Sequence, residues 1–254
     1  MADFLSGSVR IAYRDEAPNA PAGLEPALLI HGFASNLAVN WRQPSWFGAL
    51  LESGRRVIAI DNRGHGESEK LYDPADYHCR LMARDAVNLL AHLGVARADV
   101  IGYSMGARIA AYVALDAPRR VRRLILGGLG DRLVTGAGLP ENLAEAMEAP
   151  SLDDLADPTQ RLFRAFADRN GADRRALAAC IRGARQAPAI SEVARIVSPT
   201  LVVVGTHDTI AGDPFKLAAM LRNGRGLEVP GRDHNKTVGD RAFKEEGVKF
   251  LNEE

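Results

Sequence analysis

Short, unbroken runs of apolar residues recur along the chain, and they constrain its fold more than any other feature. The runs lie at 27–30, 57–60, 100–101, 124–126 and 201–204, each next to a Gly, Pro or Asp. Solid rather than alternating apolar character is typical of strands buried on both faces, as in a parallel sheet. Longer stretches with helical periodicity separate the runs. The sequence therefore predicts a doubly wound α/β fold.

Three of the helical stretches have clear bounds. Residues 81–93 carry a broad apolar stripe, and Gly94 follows as a typical helix stop. Residues 105–115 are rich in alanine and end before Pro118. A third helix is expected at 242–251, close to the C-terminus.

One long stretch interrupts the alternation of strands and helices. Residues 131–195, 65 in all, contain no strand-like run. Helix-start signals occur there instead, at side chains placed to cap a first turn: Ser151, Asp157 and Asp173. We expect 131–195 to form a helical cap, inserted into an α/β core made of 1–130 and 196–254. The alternative is a set of ordinary helices that flank the sheet.

The strongest chemical signal is the segment Gly102-Tyr103-Ser104-Met105-Gly106. It follows the apolar run 100–101 and opens the helix predicted at 105–115. A serine in a tight turn from strand to helix exposes its hydroxyl, and flanking glycines let the backbone close without a Cβ clash. The helix N-terminus also presents free N–H groups beside that hydroxyl. The pattern predicts that Ser104 is a nucleophile.

A serine nucleophile needs a base, and the base needs an orienting acid. For this type of turn the expected chain order is serine, acid, histidine. Of six histidines only His207 and His234 follow Ser104. His234, in the loop before the last helix, is the predicted base, and His207 is expected to be a surface or supporting residue. Asp208, just past the run 201–204, is the predicted acid, and Asp131 is the alternative.

The tetrahedral intermediate of acyl transfer needs two donors for its oxyanion. One predicted donor is the backbone N–H of Met105, directly after Ser104. The other is the backbone N–H of Phe33, in the turn that follows the run 27–30. We expect the Phe33 side chain to line the acyl pocket, and His31 to hold this turn by hydrogen bonds.

Five segments occur in a specific order: His31-Gly32-Phe33, residues 61–68 (Asp-Asn-Arg-Gly-His-Gly-Glu-Ser), the Ser104 turn, and the loops of Asp208 and His234. Over essentially its whole length the chain resembles α/β-hydrolase-fold serine hydrolases of the esterase and lipase type. The resemblance implies an eight-stranded, mostly parallel sheet with a helical cap after the sixth strand.

The resemblance also bears on individual residues. It implies a structural rather than a catalytic role for Arg63 and His65. The chain departs from the family pattern at Asp233, because glycine often stands directly before the histidine in this family. We expect Asp233 to form a turn.

The nucleophile type narrows the function. Related dehalogenases and epoxide hydrolases use aspartate at this turn, so Ser104 argues against both. We predict a serine hydrolase that cleaves carboxylic esters of small to medium, largely apolar acyl groups through an acyl-enzyme. A lactonase, a C–C bond hydrolase or a perhydrolase on the same triad is the alternative. The non-enzymatic alternative is a ligand-sensing receptor with slow turnover.

The substrate pocket is constrained only by apolar side chains near the expected site. The candidates for its wall are Phe33, Tyr103, Trp41, Leu139 and Phe163. For Trp41, packing in the core or at the rim is an equal alternative. Most of the apolar residues of 131–195 are expected to bury that segment against the sheet.

The charges of the chain cancel, with 32 basic and 32 acidic residues. Nucleic-acid binders usually carry a basic excess, so no nucleic-acid partner is predicted. The balance also fits an uncharged ester better than a phosphorylated one. No run approaches the ~20 apolar residues of a membrane span, and the first residues do not resemble a signal peptide. We expect a cytoplasmic protein with a small-molecule ester as its partner, and the sequence does not assign an oligomeric state.

Metal, cofactor and disulfide chemistry have no support in the sequence. It contains neither a Cys/His cluster nor a glycine-rich phosphate loop, so no metal and no cofactor are predicted. Cys79 and Cys180 are too few for a disulfide framework, and we expect both to be buried.

Overall fold

A single sheet of eight strands organises the part of the chain that the computed structural model describes, residues 1–136 and 139–253. The strands are β1 (Ala2–Ser6), β2 (Val9–Glu16), β3 (Ala27–Ile30), β4 (Val57–Ile60), β5 (Ala98–Tyr103), β6 (Val121–Gly127), β7 (Thr200–Gly205) and β8 (Gly224–Val229). Their order in the sheet is β1-β2-β4-β3-β5-β6-β7-β8. β2 is antiparallel to both of its neighbours, and every other adjacent pair is parallel. The predicted eight-stranded, mostly parallel α/β fold is confirmed.

Helices connect the strands. They are α1 (Trp46–Glu52), α2 (Cys79–His92), α3 (Met105–Asp116), α4 (Arg132–Thr135), α5 (Asn142–Glu148), α6 (Pro158–Arg169), α7 (Arg174–Gly183), α8 (Ile190–Val193), α9 (Pro214–Met220), α10 (His234–Thr237) and α11 (Arg241–Asn252). A π-helical turn spans Ala38–Arg42, and short 3₁₀ turns span Pro74–Tyr77, Pro118–Arg120 and Leu152–Asp154. The three helices predicted with clear bounds correspond to α2, α3 and α11. Among the described residues, no helix has both the length and the apolar character needed to cross a membrane.

The buried core has two layers, one on each face of the sheet. Successive side chains of a strand point to opposite faces, and β3 shows the consequence. Leu28 and Ile30 pack into the layer that contains α2 and α3, whereas Ala27 and Leu29 pack into the layer beneath α1 and α11. All four side chains are fully buried. Burial on both faces explains why the run is apolar at every position.

Between β6 and β7 the regular structure of the described residues is helical, with α4 to α8 and the 3₁₀ turn at 152–154 joined by loops. The predicted caps are present. The side chain of Asp157 accepts the Gln160 amide at 2.8 Å, that of Asp173 accepts the Ala176 amide at 3.0 Å, and Ser151 forms a capping box. We keep the interpretation of 131–195 as an inserted cap and refer to these residues below as the cap segment.

The cap segment lies over the turn that follows β3. The Asn170 side chain donates to the carbonyl oxygen of Ala34 at 3.2 Å. The rings of Phe163 and Phe33 lie 6.2 Å apart, between centroids. Because parallel strands end at a common edge of the sheet, these contacts place the cap segment over the edge where the predicted nucleophile, acid and base also lie.

Candidate active site

Ser104 occupies a sharp turn between β5 and α3. Its backbone has φ 55° and ψ −116°, a conformation that non-glycine residues rarely adopt. A Cβ on Gly106 would lie 2.0 Å from the carbonyl oxygen of Ile30, and a Cβ on Gly102 would lie 2.2 Å from that of Gly106. Both positions therefore require glycine, and the turn holds the half-buried Ser104 hydroxyl at the edge of the sheet.

The side chains of Ser104, His234 and Asp208 form one hydrogen-bonded chain. His234 Nε2 lies 2.9 Å from Ser104 Oγ, and His234 Nδ1 lies 2.7 Å from Asp208 Oδ2. An ionised carboxylate only accepts hydrogen bonds, so Nδ1 carries the proton and donates it to Asp208. Nε2 is then free to accept the serine proton. The structure brings together the three residues that the sequence singles out.

Asp208 is held rigidly behind the histidine. It lies just beyond β7, and its side chain is fully buried. The other carboxylate oxygen, Oδ1, accepts the backbone amides of Ile210 at 2.9 Å and Ala211 at 3.0 Å. Three hydrogen bonds fix the plane of the carboxylate, so its Oδ2 faces the imidazole.

The main chain of His234 is also anchored. Asp233 caps α10, because its carboxylate accepts the amides of Asn235 at 3.1 Å and Lys236 at 2.9 Å. The Tyr103 hydroxyl donates to the carbonyl oxygen of His234 at 2.5 Å. The turn role expected of Asp233 is confirmed, and the residue before the nucleophile positions the histidine.

Asp131, the alternative acid, forms a hydrogen bond with a loop and not with the histidine. Asp131 Oδ1 accepts the backbone amide of Asp213 at 2.8 Å and thereby ties two loops together. The His234 imidazole donates from Nδ1 to Asp208 instead. His207 is exposed, as expected for a surface residue.

The turn after β3 lies directly against the nucleophile. A Cβ on Gly32 would be 3.3 Å from the Cβ of Ser104, so the backbone passes close to that side chain. The Gly32 amide donates to Asn40 Oδ1 at 2.9 Å, which fixes the turn. The amide of Phe33 comes next in the chain, and the amide of Met105 is the first of α3, where helix geometry provides no partner. Both predicted oxyanion donors thus belong to residues that border Ser104.

His31 stabilises this turn from below. Its imidazole is fully buried, and Nε2 accepts the Asn62 amide at 3.0 Å. The proton therefore resides on Nδ1, which donates to the Gly32 carbonyl oxygen at 2.7 Å. Burial lowers the pKa of His31 to about 4, so the ring is neutral at neutral pH. His31 holds the turn, as expected.

The segment 61–68 supports the same turn. Arg63 donates to both carboxylate oxygens of Asp85, at 2.7 and 2.8 Å. His65 is buried, and its ring packs edge-on against Phe33 with centroids 5.9 Å apart. Burial lowers the pKa of His65 to about 3. These contacts fit the structural role that the family resemblance implies for Arg63 and His65.

Two cavities meet at Ser104, and both are bordered by Phe33, Phe163, Thr209 and Ile210. The first has a volume of about 310 Å³ and continues past Arg108, Arg132 and Leu139. We call it the arginine cavity. The second has a volume of about 340 Å³ and continues past Tyr103, His207 and His234. We call it the histidine cavity.

Four of the five residues predicted to line the pocket border one of these cavities: Phe33, Tyr103, Leu139 and Phe163. Trp41 does not. Its side chain is fully buried against Trp46, with ring centroids 5.9 Å apart, so it belongs to the core beneath α1. The prediction of a pocket wall is wrong for Trp41, and its packing alternative applies.

The sequence reading missed several residues of the cavity walls. Thr209 and Ile210 follow the predicted acid directly, so their neighbourhood to Asp208 was the available signal. Arg108 lies one helical turn beyond Ser104 on α3, where residues at i and i+4 share a face. Arg132 carries no sequence signal that we recognise.

The described ranges contain no group of three or more His, Cys, Asp or Glu side chains placed to hold a metal ion. Cys79 and Cys180 are free and buried, as expected. Burial raises the pKa of both thiols, to about 11 for Cys79. Cys180 packs with its sulfur 3.7 Å from that of Met105, on the wall of the arginine cavity.

Comparison with known proteins places this arrangement in a family. The family model described as alpha/beta hydrolase fold matches residues 26–170, which is more than half of the chain. A 2-hydroxymuconate semialdehyde hydrolase from Pseudomonas sp. strain CF600 is 36% identical over 155 residues, covering 57% of this chain and 49% of that protein. This hydrolase is one of four curated relatives for which the matched region spans 29% to 49% of the relative's own length.

Solved structures of other proteins have the same fold over nearly the whole length of this chain. A hydrolase from Pseudomonas aeruginosa PA01 superposes with a TM-score of 0.80 and 26% identity, covering 99% of this chain and 98% of that one. The enol-lactonase of Burkholderia xenovorans LB400 has a TM-score of 0.79 at 23% identity, covering 99% and 100%. With the eight-stranded sheet and the serine turn described above, these matches show that the chain belongs to the α/β-hydrolase-fold family.

Proposed function

We propose that this protein is a serine hydrolase that cleaves carboxylic esters through an acyl-enzyme. The observation that carries the proposal is the hydrogen-bonded chain from Ser104 through His234 to Asp208, set beside the first amide of α3. An imidazole that donates from Nδ1 to a carboxylate and faces a serine hydroxyl with Nε2 has the arrangement needed to activate that serine.

The acylation step follows from this geometry. Ser104 Oγ attacks the ester carbonyl while His234 Nε2 removes its proton. The imidazolium that forms is stabilised by the Asp208 carboxylate, whose plane is already fixed by two backbone amides. The N–H groups of Phe33 and Met105 stabilise the oxyanion, and one such donor typically contributes about 10²–10³ in kcat.

Breakdown of the intermediate reverses the proton transfer. His234 donates its proton to the leaving oxygen, the alcohol departs, and Ser104 remains acylated. A water molecule then attacks the acyl-enzyme with His234 as the base. The carboxylic acid is released and the serine hydroxyl is restored.

The two cavities have different parts in this scheme. His234 must reach the leaving oxygen, so the alcohol group occupies the histidine cavity. The acyl group extends the other way, into the arginine cavity, past the apolar side chains of Leu139, Phe163 and Ile181. A volume of about 310 Å³ suits an acyl group of small to medium size.

A lactone is the second candidate substrate. Its leaving oxygen remains tied to its acyl chain, so a lactonase needs an undivided space on both sides of the nucleophile. The arginine and histidine cavities fit this requirement, because both of them are bordered by Ser104. The enol-lactonase similar in fold acts on such a bond, according to its name.

The test is a panel of nitrophenyl esters of graded acyl length, together with lactones of matched size, assayed with the wild-type protein and Ser104→Ala. We expect turnover by the wild type and a loss of at least ~10³-fold in Ser104→Ala, with the melting temperature little changed. Residual activity above ~1% in that variant would contradict the role of Ser104. Turnover no faster than about one per minute on every substrate would favour the receptor alternative over an enzyme.

A further inference from the structure

Two arginines border the arginine cavity, and none of its described lining residues is an aspartate or a glutamate. Arg108 lies on α3, one turn beyond Ser104, and Arg132 lies on α4 at the start of the cap segment. The otherwise apolar wall therefore carries two positive charges. The overall charge balance of the chain gave no sign of this local excess.

Arg108 is buried, with 4% of its surface exposed. Nη1 donates to the carbonyl oxygens of Leu133 and Gln186, and Nη2 to those of Arg132 and Gly136, at 3.0 to 3.1 Å. These are dipoles rather than charges. The described residues place no carboxylate within ion-pair distance of Arg108, so its positive charge is not neutralised by the protein.

Burial lowers the pKa of the Arg108 guanidinium, and no carboxylate among the described residues offsets that effect. A guanidinium keeps its proton in proteins all the same. An uncompensated buried charge is costly, and an anion bound beside it reduces that cost.

Unlike Arg108, Arg132 has a guanidinium that is free to bind a ligand. Its side chain is exposed, and it makes no hydrogen bond or ion pair with the residues that the structure describes. It borders the same cavity, and its own carbonyl oxygen accepts from Arg108. A planar guanidinium with free donors matches the two oxygens of a carboxylate.

We infer that the acyl group of the preferred substrate ends in a carboxylate that is remote from the scissile carbonyl. This carboxylate pairs with Arg132, close to the buried positive charge of Arg108. This inference rests on the proposed function, because it assigns the acyl group to the arginine cavity. The substrate class is then a half-ester of a dicarboxylic acid, or a lactone that carries a carboxylate. Such a substrate carries a negative charge, unlike the uncharged ester that the charge balance of the chain favours.

The experiment compares two substrates that differ only in charge: the mono-nitrophenyl ester of adipic acid and its methyl ester, in which the remote carboxylate is masked. The quantity measured is the ratio of kcat/KM for the anionic substrate to that for the neutral one. We expect the wild type to favour the anion by about tenfold or more, the effect of a charged hydrogen bond in a partly dry site. The ratio should fall as salt is raised.

Variants assign the effect to a residue. In Arg132→Gln the ratio should fall by about tenfold, and Arg132→Lys should retain most of it, since the charge is kept. Arg222→Gln, which removes an exposed arginine that borders neither cavity, is the matched control and should leave the ratio unchanged.

The outcomes separate the two proposals. A wild-type ratio near or below one, or a ratio that Arg132→Gln does not change, overturns the inference while turnover of the neutral ester leaves the proposed function intact. If neither substrate is cleaved, and Ser104→Ala equals the wild type, the proposed function itself fails and the inference fails with it.

Discussion

Replacing Asp208 by asparagine tests the most specific part of the site. The asparagine is nearly the same size, and its Oδ1 can still accept the amides of Ile210 and Ala211. Its NH₂ group, however, would face His234 Nδ1, where the carboxylate oxygen now lies at 2.7 Å. An NH₂ group donates, so the imidazole must turn its unprotonated nitrogen toward it.

The consequence is the wrong tautomer. With Nδ1 unprotonated, His234 Nε2 carries the hydrogen and cannot accept the proton of Ser104, from which it is 2.9 Å away. The carboxylate that stabilised the imidazolium is also absent. In a serine triad this change costs about 10⁴ in kcat, which corresponds to about 5 kcal/mol of transition-state stabilisation.

The assay is steady-state hydrolysis of a nitrophenyl ester, with circular dichroism melts as a check on folding. We expect kcat to fall by about 10⁴-fold in Asp208→Asn with little change in KM or in melting temperature. The matched control is Asp131→Asn, which keeps the acceptor for the Asp213 amide and should stay within a few-fold of wild type. If Asp131→Asn is the more damaging change, the assignment of the acid is wrong.

Two further predictions concern stability. In Gly106→Ala the new Cβ would lie 2.0 Å from a main-chain carbonyl oxygen of β3, so we expect the free energy of unfolding to fall by about 3 kcal/mol or more and esterase activity to be lost. The control is Gly239→Ala, where no atom lies nearer than 3.5 Å to the new Cβ and the change should be tolerated. Equal melting temperatures for the two variants would refute this reasoning. Burial lowers the pKa of His31 to about 4 and that of His65 to about 3, whereas the unfolded chain binds these protons below about pH 6.5. The contribution of these histidines to the free energy of unfolding is therefore fully present above about pH 6.5 and decreases as the pH falls toward 4. Between pH 6.5 and 5 the decrease is at most about 4 kcal/mol. Burial raises the pKa of Asp61, and this contribution acts in the opposite direction. Urea melts at several pH values measure it, and a curve that is flat from pH 7.5 to 5 would contradict the prediction.

Local patterns were sufficient to predict the chemical part of the site. The serine turn has glycines at two positions where any Cβ would strike the main chain, so its sequence is dictated by its geometry. Asp208 and His234 were found because they follow strands of the sheet in the order that the turn requires. Each of these signals lies within a few residues of the group it identifies.

The N-terminal strands lacked such a signal. In β2 the buried residues are Ile11, Ala12 and Tyr13, and arginines flank them, so this short apolar run lacks the Gly, Pro or Asp that stands beside the other runs. It lies on the antiparallel side of the sheet, next to β1. Only the family resemblance implied that these strands exist.

The pocket wall was less predictable because it depends on contacts between distant segments. Trp41 follows the oxyanion turn closely in sequence, but its ring packs into the layer beneath α1. Arg132 is 28 residues from Ser104 along the chain, and only the path of β6 and α4 brings it to the same cavity. Hydrophobic periodicity contains no information about such pairings.

The four carbonyl bonds of Arg108 also bear on how substrates reach the nucleophile. Three of the acceptors, at 132, 133 and 136, lie where the chain leaves the sheet for the cap segment, and the fourth, at 186, lies near its return. A hinge motion of the whole cap would have to strip a buried cation of its partners at both ends. We therefore expect the cap segment and α3 to move as one body. Access would then depend on side chains and loops at the cavity mouths, which move in nanoseconds to microseconds, faster than the motions of whole domains.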